Sequence, residues 1–406
     1  EEEQGGSPLF NAEQQRAVEA EGGPLLVVAG PGTGKTRTLV GRANHLLRRG
    51  CRPADIVVLT FTRAAARELR QRLDIRDSGN QDAPRVDTLH SLAHADLHHA
   101  GAAKQIMTEE EAYKLFLRAN PQLGSREGKT SWDRLAFCRE TLQPDEDLRE
   151  ARDAYEEEKE RLGLMDYTDL LETWLESEAG AQYGHVLLDE VQDLSPLQIR
   201  MVSRLCHPSG EGLFAIGDPR QSIYGFRGAT GEAESELAAY WPGTQTITLE
   251  SNYRSAQGIL DFASGLYPGG SSLSSQRDTA GEIRFHQAQS GKQEAVWIAE
   301  RARGLLGGTA HLQADLWDSG GLGPGDIAVL VRVRALLPQL HATLTQYGIP
   351  CSVPEGESFW DDPRVQTLLD SVRAGLGHVP VDPGAVRCPD EALEKGPPAL
   401  AGTFRD

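Results

Sequence analysis

The sequence predicts an α/β protein whose core is a sheet of parallel strands. Three observations lead to this expectation: short apolar runs recur along the chain, one run passes through a glycine-rich loop into an amphipathic helix, and another ends in two adjacent carboxylates. Short apolar runs bounded by turn residues are typical of strands buried on both faces of a sheet. The four runs lie at residues 25–28, 55–62, 185–188 and 212–218. We therefore expect one sheet that presents several loops at the same edge.

The loop after the first run has the composition of a phosphate-binding loop. Its three glycines and the two residues that open the next helix are Gly30, Gly32, Gly34, Lys35 and Thr36. Glycines let successive backbone N–H groups turn toward an anion at the start of a helix. Lys35 is then expected to reach the β- and γ-phosphates of a nucleotide, and the Thr36 hydroxyl to ligate Mg²⁺. The alternative is an ordinary glycine-rich loop, because the strict pattern begins with Gly where this chain has Ala29.

A pair of acidic residues follows the third apolar run. The segment HVLLDEVQD, residues 185–193, delivers Asp189 and Glu190 at the carboxyl end of a predicted strand, where open α/β sheets bind ligands. Asp189 is expected to hold Mg²⁺, and Glu190 to orient and deprotonate a water molecule that attacks the γ-phosphate. The alternative is that both carboxylates form a solvated strand end.

Segments along the chain match, in order, the motifs of superfamily 1 DNA helicases. They are FNAEQQRAV (10–18, the Q motif), AGPGTGKT (29–36, the phosphate loop), TFTRAAARELRQRL (60–73, motif Ia), DTLHSLA (87–93, motif Ib), LLDEVQD (187–193, motif II), GDPRQSIYGFRGA (217–229, motif III) and LESNYRS (249–255, motif IV). The chain thus resembles helicases of the UvrD/Rep/PcrA type, whose phosphate loop also begins with Ala. The resemblance implies a RecA-like P-loop NTPase domain.

The resemblance implies which residues bind nucleotide. Gln14 would hydrogen-bond the edge of the adenine and Tyr253 would stack on it, while Gln221 and Arg254 would contact the γ-phosphate. The implied cofactors are ATP and Mg²⁺. The implied nucleotide-binding residues are Gln14, Gly30, Gly32, Thr33, Gly34, Lys35, Thr36, Arg37, Asp189, Tyr253 and Arg254. The implied catalytic residues are Lys35, Glu190, Gln221 and Arg254, and the implied metal ligands are Thr36 and Asp189.

The resemblance also implies a groove for single-stranded DNA and for junctions of single and double strands. Aromatic side chains would stack on bases without sequence preference. The implied DNA-binding residues are Phe61, Thr62, Arg63, His90, Tyr224, Phe226 and Arg227. Two positions depart from the commonest family text. Val191 replaces Phe in motif II, which we interpret as a core substitution, and Gly225-Phe226 replaces Arg-Trp in motif III, which keeps a ring but removes a cation.

The formal net charge of −19 disfavours binding to the negatively charged backbone of a nucleic acid. DNA binding would therefore depend on local clusters of basic residues. Acidic residues concentrate at 145–160, which we interpret as a solvated helix face with some pairing between successive turns. The helix of motif Ia is basic instead. Its arginines are Arg63, Arg67, Arg70 and Arg72.

Composition indicates whether the chain crosses a membrane and in which compartment it is expected. There is no run of about 18 apolar residues, so no membrane span is expected. Five widely spaced cysteines without a C-x-x-C pair fit reduced thiols and a cytoplasmic location. The chain begins with Glu, and EEEQGGSP, residues 1–8, has the composition of an acidic linker. We therefore expect a piece of a longer protein, with further domains of the same parent chain as partners.

The predicted organisation has two α/β domains. We expect residues 1–98 and 166–244 to form the first RecA-like, ATP-binding domain, with a helical accessory insertion at 99–165. Residues 245–376 are expected to form part of a second RecA-like domain. Residues 377–406 are a tail or the start of a second accessory domain.

Two classes of function remain open. No segment after residue 360 resembles motif V or the arginine-bearing motif VI of the family. The first hypothesis is the N-terminal part of an ATP-dependent, 3′-to-5′ DNA helicase and single-strand translocase of DNA repair or replication, weakly active by itself. The second is a non-catalytic nucleotide- or DNA-binding module of a larger repair or recombination protein.

Overall fold

The structure is a computed structural model that describes residues 10–75, 83–178, 180, 182–229, 231–266, 273–307 and 322–353, without the side chains of Phe226, Ala233 and Glu234. The predicted acidic linker at 1–8 and the predicted tail at 377–406 lie outside the described residues. The chain divides into two compact units, Glu1–Glu282 and Ile283–Asp406.

A parallel sheet forms the centre of the first unit. The strands are β1 (Leu25–Ala29), β2 (Ile56–Leu59), β3 (Arg85–Asp87), β4 (Gln105–Ile106), β5 (Leu164–Met165), β6 (His185–Leu188), β7 (Leu213–Gly217), β8 (Gln245–Leu249), β9 (Ser251–Asn252) and β10 (Ser274–Ser275). Six of them form one sheet in the order β3-β2-β6-β7-β1-β8, and every neighbouring pair is parallel. Strands β4 and β5 pair separately, as do β9 and β10. The predicted parallel α/β architecture is confirmed.

Helices occur in both units. They are α1 (Ala12–Glu19), α2 (Lys35–Arg48), α3 (Arg63–Arg72), α4 (Leu89–His99), α5 (Glu109–Ala119), α6 (Ser125–Thr141), α7 (Arg149–Leu162), α8 (Tyr167–Glu176), α9 (Pro196–Leu205), α10 (Ala233–Tyr240), α11 (Gln257–Ser264), α12 (Gly291–Leu305) and α13 (Leu337–Gln346).

The sheet is buried on both faces. In β2, Val57 and Leu59 belong to one apolar cluster, and Ile56 and Val58 belong to another. This alternation follows from the two-residue repeat of a strand, which points successive side chains to opposite faces. Burial on both faces explains why the strands appear in the sequence as continuous apolar runs. Because the six strands of the sheet are parallel, all of their carboxyl ends lie at the same edge of the sheet.

Strand β8 corrects the predicted limit of the first sheet. The sequence predicts that residues 245–376 belong to the second domain, yet β8 pairs in parallel with β1, with Leu25 opposite Gln245 and Ala29 opposite Leu249. The sheet therefore continues beyond residue 244. An edge strand has an exposed, polar start, so its composition did not reveal which sheet it joins.

The helices between β4 and β5 are tied to the sheet-covering helix α8 by a buried ionic cluster. The Arg139 guanidinium on α6 donates to Asp166 at 2.8 Å and to Asp169 at 2.6 Å. Lys159 on α7 lies 2.5 Å from the same Asp169 oxygen. Burial raises the pKa of Asp166, but Arg139 and Lys159 outweigh it, so the pKa of this carboxyl is lowered overall.

The predicted solvated face at 145–160 is wrong for two residues of α7. Tyr155 is 0% exposed and donates its hydroxyl to Asp166, and Lys159 is 2% exposed. A charged residue is buried in this way only when it is paired. The run of charged residues did not reveal that Tyr155 and Lys159 face inward, because their partners lie in the later segment that starts α8.

In the second unit, α12 and α13 pack around Ala299, Leu340 and Leu344. The segment DIAVLVRV, residues 326–333, predicts a strand, but the described residues there form no strand. Ile327 nevertheless packs partly buried against the helices. Alternation predicts which side chains turn inward, whereas a strand also needs a paired neighbour. Among the described residues, no helix has the length and apolar composition to cross a bilayer.

Candidate functional site

The phosphate loop joins β1 to α2 and depends on two left-handed glycines. Gly32 has φ +71° and Gly34 has φ +89°, a region that residues with a Cβ rarely adopt. A Cβ at Gly32 would lie 2.6 Å from the Cβ of Arg254. Between these glycines, buried Thr33 donates its hydroxyl to the carbonyl of Gly30 at 2.7 Å. The loop is therefore held from inside and leaves no room for larger residues.

Helix α2 begins directly after the loop. Gly34 is its N-cap, and Lys35, Thr36 and Arg37 form its first turn. The unpaired N–H groups and positive end of a helix favour an anion at this position. Arg37 is exposed and its guanidinium lies 5.6 Å from the centre of the Phe10 ring. The residues predicted to bind an anion thus lie in the first turn of α2.

Gln14 is placed against the phosphate loop. Its side chain is 2% exposed, its Nε2 donates to the carbonyl of Thr33 at 2.9 Å, and its Oε1 accepts from the N–H of Asn11. The predicted contact with the adenine edge stays a prediction. The observed contacts tie the start of α1 to the loop, because both ends of the amide are engaged within the protein.

The turn after β9 reaches the same loop. Tyr253 donates its backbone N–H to the carbonyl of Gly32 at 2.9 Å, and its hydroxyl accepts from Asn11 at 2.9 Å. The Tyr253 ring is 46% exposed, and Arg254 is also exposed. Both residues therefore lie beside the phosphate loop with accessible side chains, as the predicted stacking and clamping roles require.

Asn252 is a site residue that the sequence analysis did not single out. It is 0% exposed, its Nδ2 donates to the carbonyl of Pro31, and its Oδ1 accepts the N–H groups of Arg254 and Ser255 at 2.9 and 2.7 Å. Asn often accepts from backbone groups two or three residues later, so its position before Tyr253 was the available signal. Asn252 fixes the turn against the phosphate loop.

Asp189 and Glu190 follow β6, at the carboxyl edge of the sheet. Asp189 is 7% exposed, whereas Glu190 is partly exposed and has φ +50°, an uncommon conformation for a residue other than glycine. Such conformations cost about 1–3 kcal/mol and persist where the surroundings impose them. The Glu190 carboxylate lies 3.5 Å from Lys35 Nζ. The structure therefore brings the phosphate-loop lysine and the predicted base together.

Glu190 also contacts a second loop through residues that the sequence analysis left aside. Gln192 donates to Glu190 Oε2 at 3.0 Å and accepts the N–H of Asp218 at 3.0 Å. Gln221 in turn donates to the Asp218 carboxylate at 2.8 Å. The signal for Gln192 was its place within motif II.

Val191, between Glu190 and Gln192, is 0% exposed and packs in the core, which confirms that its departure from the family text is a core substitution.

The residues predicted to ligate Mg²⁺ form a suitable donor set. A hard cation prefers carboxylate and hydroxyl oxygens, which Asp189 and Thr36 supply. The pKa of Asp189 is raised to about 7, first by burial and then by the charge of Glu190, while Lys35 acts in the opposite direction. A cation beside Asp189 would relieve this unfavourable charge. Buried Asp189 beside partly exposed Glu190 thus fits a divalent cation, and the ligand roles themselves stay predictions.

The raised pKa of Asp189 has a consequence for stability. An unfolded Asp carboxyl has a pKa of about 3.9, so between about pH 4 and pH 7 the unfolded carboxyl is ionised while native Asp189 still holds its proton. The free energy of unfolding of the nucleotide-free protein should therefore fall across this range as the pH rises. We expect Asp189→Asn to raise the thermal unfolding midpoint by a few degrees at about pH 8 and to have little effect at about pH 4. Exposed Asp278→Asn is the control, and an equal gain by Asp189→Asn at both pH values would contradict this assignment.

The predicted DNA-binding residues lie after β2, β3 and β7. The rings of Phe61 and Tyr224 are 4.7 Å apart, and the Arg227 guanidinium lies 5.9 Å from the Tyr224 ring. Burial lowers the pKa of His90 to about 4, helped by the charges of Arg63 and Arg227. His90 is therefore neutral at pH 7 beside two cations. The structure brings these five predicted residues into one aromatic and basic group.

Two further predicted DNA-binding residues, Thr62 and Phe226, are sequence neighbours of Arg63 and Arg227. Thr62 is the N-cap of α3, and its hydroxyl accepts the N–H of Ala65 at 3.1 Å. Phe226 belongs to the short helical turn Gly225–Arg227, and its side chain lies outside the described residues. The DNA role of both residues stays a prediction.

A parallel sheet, a glycine-rich loop between β1 and a helix, and a carboxylate pair after β6, which β7 separates from β1, define a P-loop NTPase of the RecA-like type. The chain belongs to the UvrD/REP helicase family: the model of the UvrD/REP helicase N-terminal domain matches residues 10–115 and 119–238. The model of the UvrD-like helicase C-terminal domain matches residues 247–374.

Curated relatives agree with this family assignment. DNA helicase II of Escherichia coli (strain K12) is 30% identical, over 90% of this chain and 54% of the relative. ATP-dependent DNA helicase PcrA of Leuconostoc citreum is 28% identical, over 89% of this chain and 52% of the relative. ATP-dependent DNA helicase srs2 of Schizosaccharomyces pombe is 26% identical, over 90% of this chain and 46% of the relative. The chain thus spans about half the length of these relatives.

Proposed function

We propose that this chain couples ATP hydrolysis to movement along single-stranded DNA, as the N-terminal part of an ATP-dependent DNA helicase that acts in the 3′-to-5′ direction. One observation carries the proposal. The Glu190 carboxylate lies 3.5 Å from Lys35 Nζ at the mouth of a phosphate loop, which is where a water-activating base and a phosphate-binding cation are needed together.

The proposed reaction is in-line attack of water on the γ-phosphate of ATP. The loop N–H groups and Lys35 hold the phosphates, and Glu190 accepts the proton of the attacking water. Thr36 and Asp189 would hold Mg²⁺, which would neutralise part of the phosphate charge. Arg254 lies beside the loop and is long enough to serve as a positive clamp on the charge that develops on the γ-phosphate.

The proposed DNA groove is the group formed by Phe61, Tyr224, Arg63, Arg227 and His90. Stacked rings beside guanidinium groups bind single strands with little sequence preference and with strong salt dependence. The exposed arginines oppose the overall charge of −19 locally. Single strands and their junctions with duplex are therefore the proposed substrates.

The relatives support this function by their names, which are those of ATP-dependent DNA helicases. We further propose that residues 99–165 form an accessory insertion and that the matched C-terminal model marks part of a second RecA-like domain. Because the sequence lacks segments resembling motifs V and VI, these 406 residues alone are expected to hydrolyse ATP slowly and not to unwind duplex. The competing function is a non-catalytic nucleotide- or DNA-binding module.

The test combines binding and turnover. Phe61→Ala and Tyr224→Ala should each weaken binding of an oligothymidylate by about 1–3 kcal/mol, since each removes one stacking ring. Tyr240→Ala removes an exposed ring on α10 that is not one of the proposed groove residues, and serves as the control. Binding is measured by fluorescence anisotropy at several salt concentrations. Unchanged affinity in both variants, or tighter binding of blunt duplex, would rule out this groove.

Turnover separates the two candidate functions. Phosphate release by the wild type should rise when single-stranded DNA is added, and a strand-displacement assay on the same protein should show little unwinding. Complete absence of phosphate release, with nucleotide and DNA both bound, would favour the non-catalytic module. Robust unwinding by these residues alone would contradict the proposed partial activity.

A further inference from the structure

A buried glutamine joins the two loops that the proposed reaction uses. We propose that Gln192 is a positioning residue that couples the carboxylate of Glu190 to the loop carrying Gln221, so that the state of the nucleotide site alters the affinity of the DNA groove. The inference rests on the proposed function and deepens it, because it assigns the physical link between the two sites.

The two ends of the Gln192 amide have partners that cannot be exchanged. Its side chain is 2% exposed, with Nε2 donating to Glu190 Oε2 and Oε1 accepting from the backbone N–H of Asp218, each at 3.0 Å. An ionised carboxylate only accepts hydrogen bonds, and a backbone N–H only donates them. A flipped amide would lose both bonds, so the side chain has one defined orientation. In this orientation a displacement of Glu190 is passed on to Asp218.

The link continues from Asp218 into the next loop. The Asp218 carboxylate is 1% exposed and accepts from Gln221 Nε2 at 2.8 Å and from the N–H of Arg220 at 3.1 Å. Ser222 also donates its hydroxyl to the main-chain carbonyl of Gln192 at 3.2 Å. Gln192 therefore holds this turn through both its side chain and its backbone.

The turn leads directly to the DNA-side rings. Tyr224 follows Ser222 by two residues, and its ring lies 4.7 Å from Phe61. Close packing makes the connection stiff, since a Cβ at Gly217 would lie only 2.4 Å from Gln192 Oε1. A shift of Gln192 cannot be absorbed there without moving the end of β7.

The nucleotide end of the link is able to change. Glu190 Oε2 receives both Gln192 Nε2, at 3.0 Å, and Lys35 Nζ, at 3.5 Å. When a γ-phosphate draws Lys35 away, Gln192 is left as the remaining one of these two donors, and the carboxylate follows it. Hydrogen-bond networks with two arrangements carry energetic coupling in this way.

The test measures the coupling itself. The Kd of a labelled oligothymidylate is determined with and without a saturating non-hydrolysable ATP analogue and Mg²⁺, and the ratio of the two values is the coupling factor. By linkage, the same factor must appear in the Kd of the analogue with and without DNA. In the wild type we expect a factor of about 5 to 150.

Three variants separate positioning from mere structural support. Gln192→Met keeps the length of the side chain and loses both hydrogen bonds, and Gln192→Glu keeps an acceptor for Asp218 but replaces the donor that faces Glu190. Both are expected to bring the coupling factor close to one, because the factor is a ratio from which a uniform change in the affinity for either ligand cancels. The matched control is Gln198→Met, which removes another buried amide, 8% exposed, on α9 and should keep the wild-type factor.

A structural role alone would lower the thermal unfolding midpoint and leave the coupling factor unchanged. A wild-type factor in Gln192→Met or in Gln192→Glu overturns the inference, and the second variant carries the test if the first does not fold. A wild-type protein that binds both ligands with a factor of one overturns it as well. Failure of the wild type to bind either ligand overturns the proposed function, which is a distinguishable result.

Discussion

Glu190→Gln is expected to lower the rate of ATP hydrolysis by about 10²- to 10⁴-fold, which is the usual contribution of a general base. The substitution keeps the shape of the side chain but removes its ability to accept the proton of the attacking water. The amide oxygen at position 190 can still accept from Gln192 Nε2, which lies 3.0 Å from the carboxylate in the wild type. Phosphate release at saturating ATP, with single-stranded DNA present, measures the effect.

Nucleotide affinity distinguishes loss of the base from loss of the site. Removing a negative charge that lies 3.5 Å from Lys35 Nζ leaves this ammonium free for phosphate, so Kd for ATP·Mg²⁺ should stay equal or fall. Exposed Glu150, at the start of α7, provides the matched control as Glu150→Gln. Hydrolysis by Glu190→Gln at the wild-type rate would show that another group activates the water.

Much of the sheet and of the nucleotide site could be predicted from the sequence because local chemistry dictates both. The predicted run at 185–188 coincides with β6, and the run at 25–28 differs from β1 by one residue. Strands buried on both faces must be apolar throughout and must end where polar residues begin. The phosphate loop could be predicted for a similar reason, since the left-handed conformation at Gly32 and Gly34 favours glycine, and glycine is visible in the sequence.

The contacts that assemble the site could not be predicted because they join segments far apart in the chain. Asn252 holds the carbonyl of Pro31, and Tyr253 meets Asn11, across more than 200 residues in each pair. A polar residue in a motif does not reveal whether it faces a ligand or supports a backbone. Gln14 shows the ambiguity, since both ends of its amide contact the protein.

Burial of charge was hidden for the same reason. Lys159 lies in an acid-rich run that resembles a solvated helix, but its ammonium is buried against Asp169, ten residues later. The raised pKa of Asp189 likewise depends on burial, which a sequence does not display. Residue types indicated which groups could act, while the fold decided which of them are close enough to do so.

Lys35→Ala is expected to produce the largest loss of nucleotide affinity in this chain. Hydrogen bonds to charged groups contribute about 1.5–3 kcal/mol, so Kd for ATP·Mg²⁺ should rise by about 10- to 150-fold. Isothermal titration calorimetry on wild type and variant measures the change. Arg48→Ala is the control, because Arg48 is exposed in the last turn of the same helix, about 20 Å away at 1.5 Å per residue.

Two effects combine in this loss, and Mg²⁺ separates them. Lys35 contacts the phosphates in the proposed site, and it also lowers the pKa of Asp189, against burial and the charge of Glu190. Without the ammonium, the pKa of Asp189 rises further and its carboxylate is less available to the metal. Titration of ATP without Mg²⁺ reports the phosphate contact alone, so the variant should lose more affinity with the metal than without it. Equal affinity of wild type and Lys35→Ala under both conditions would show that this loop does not hold the phosphates.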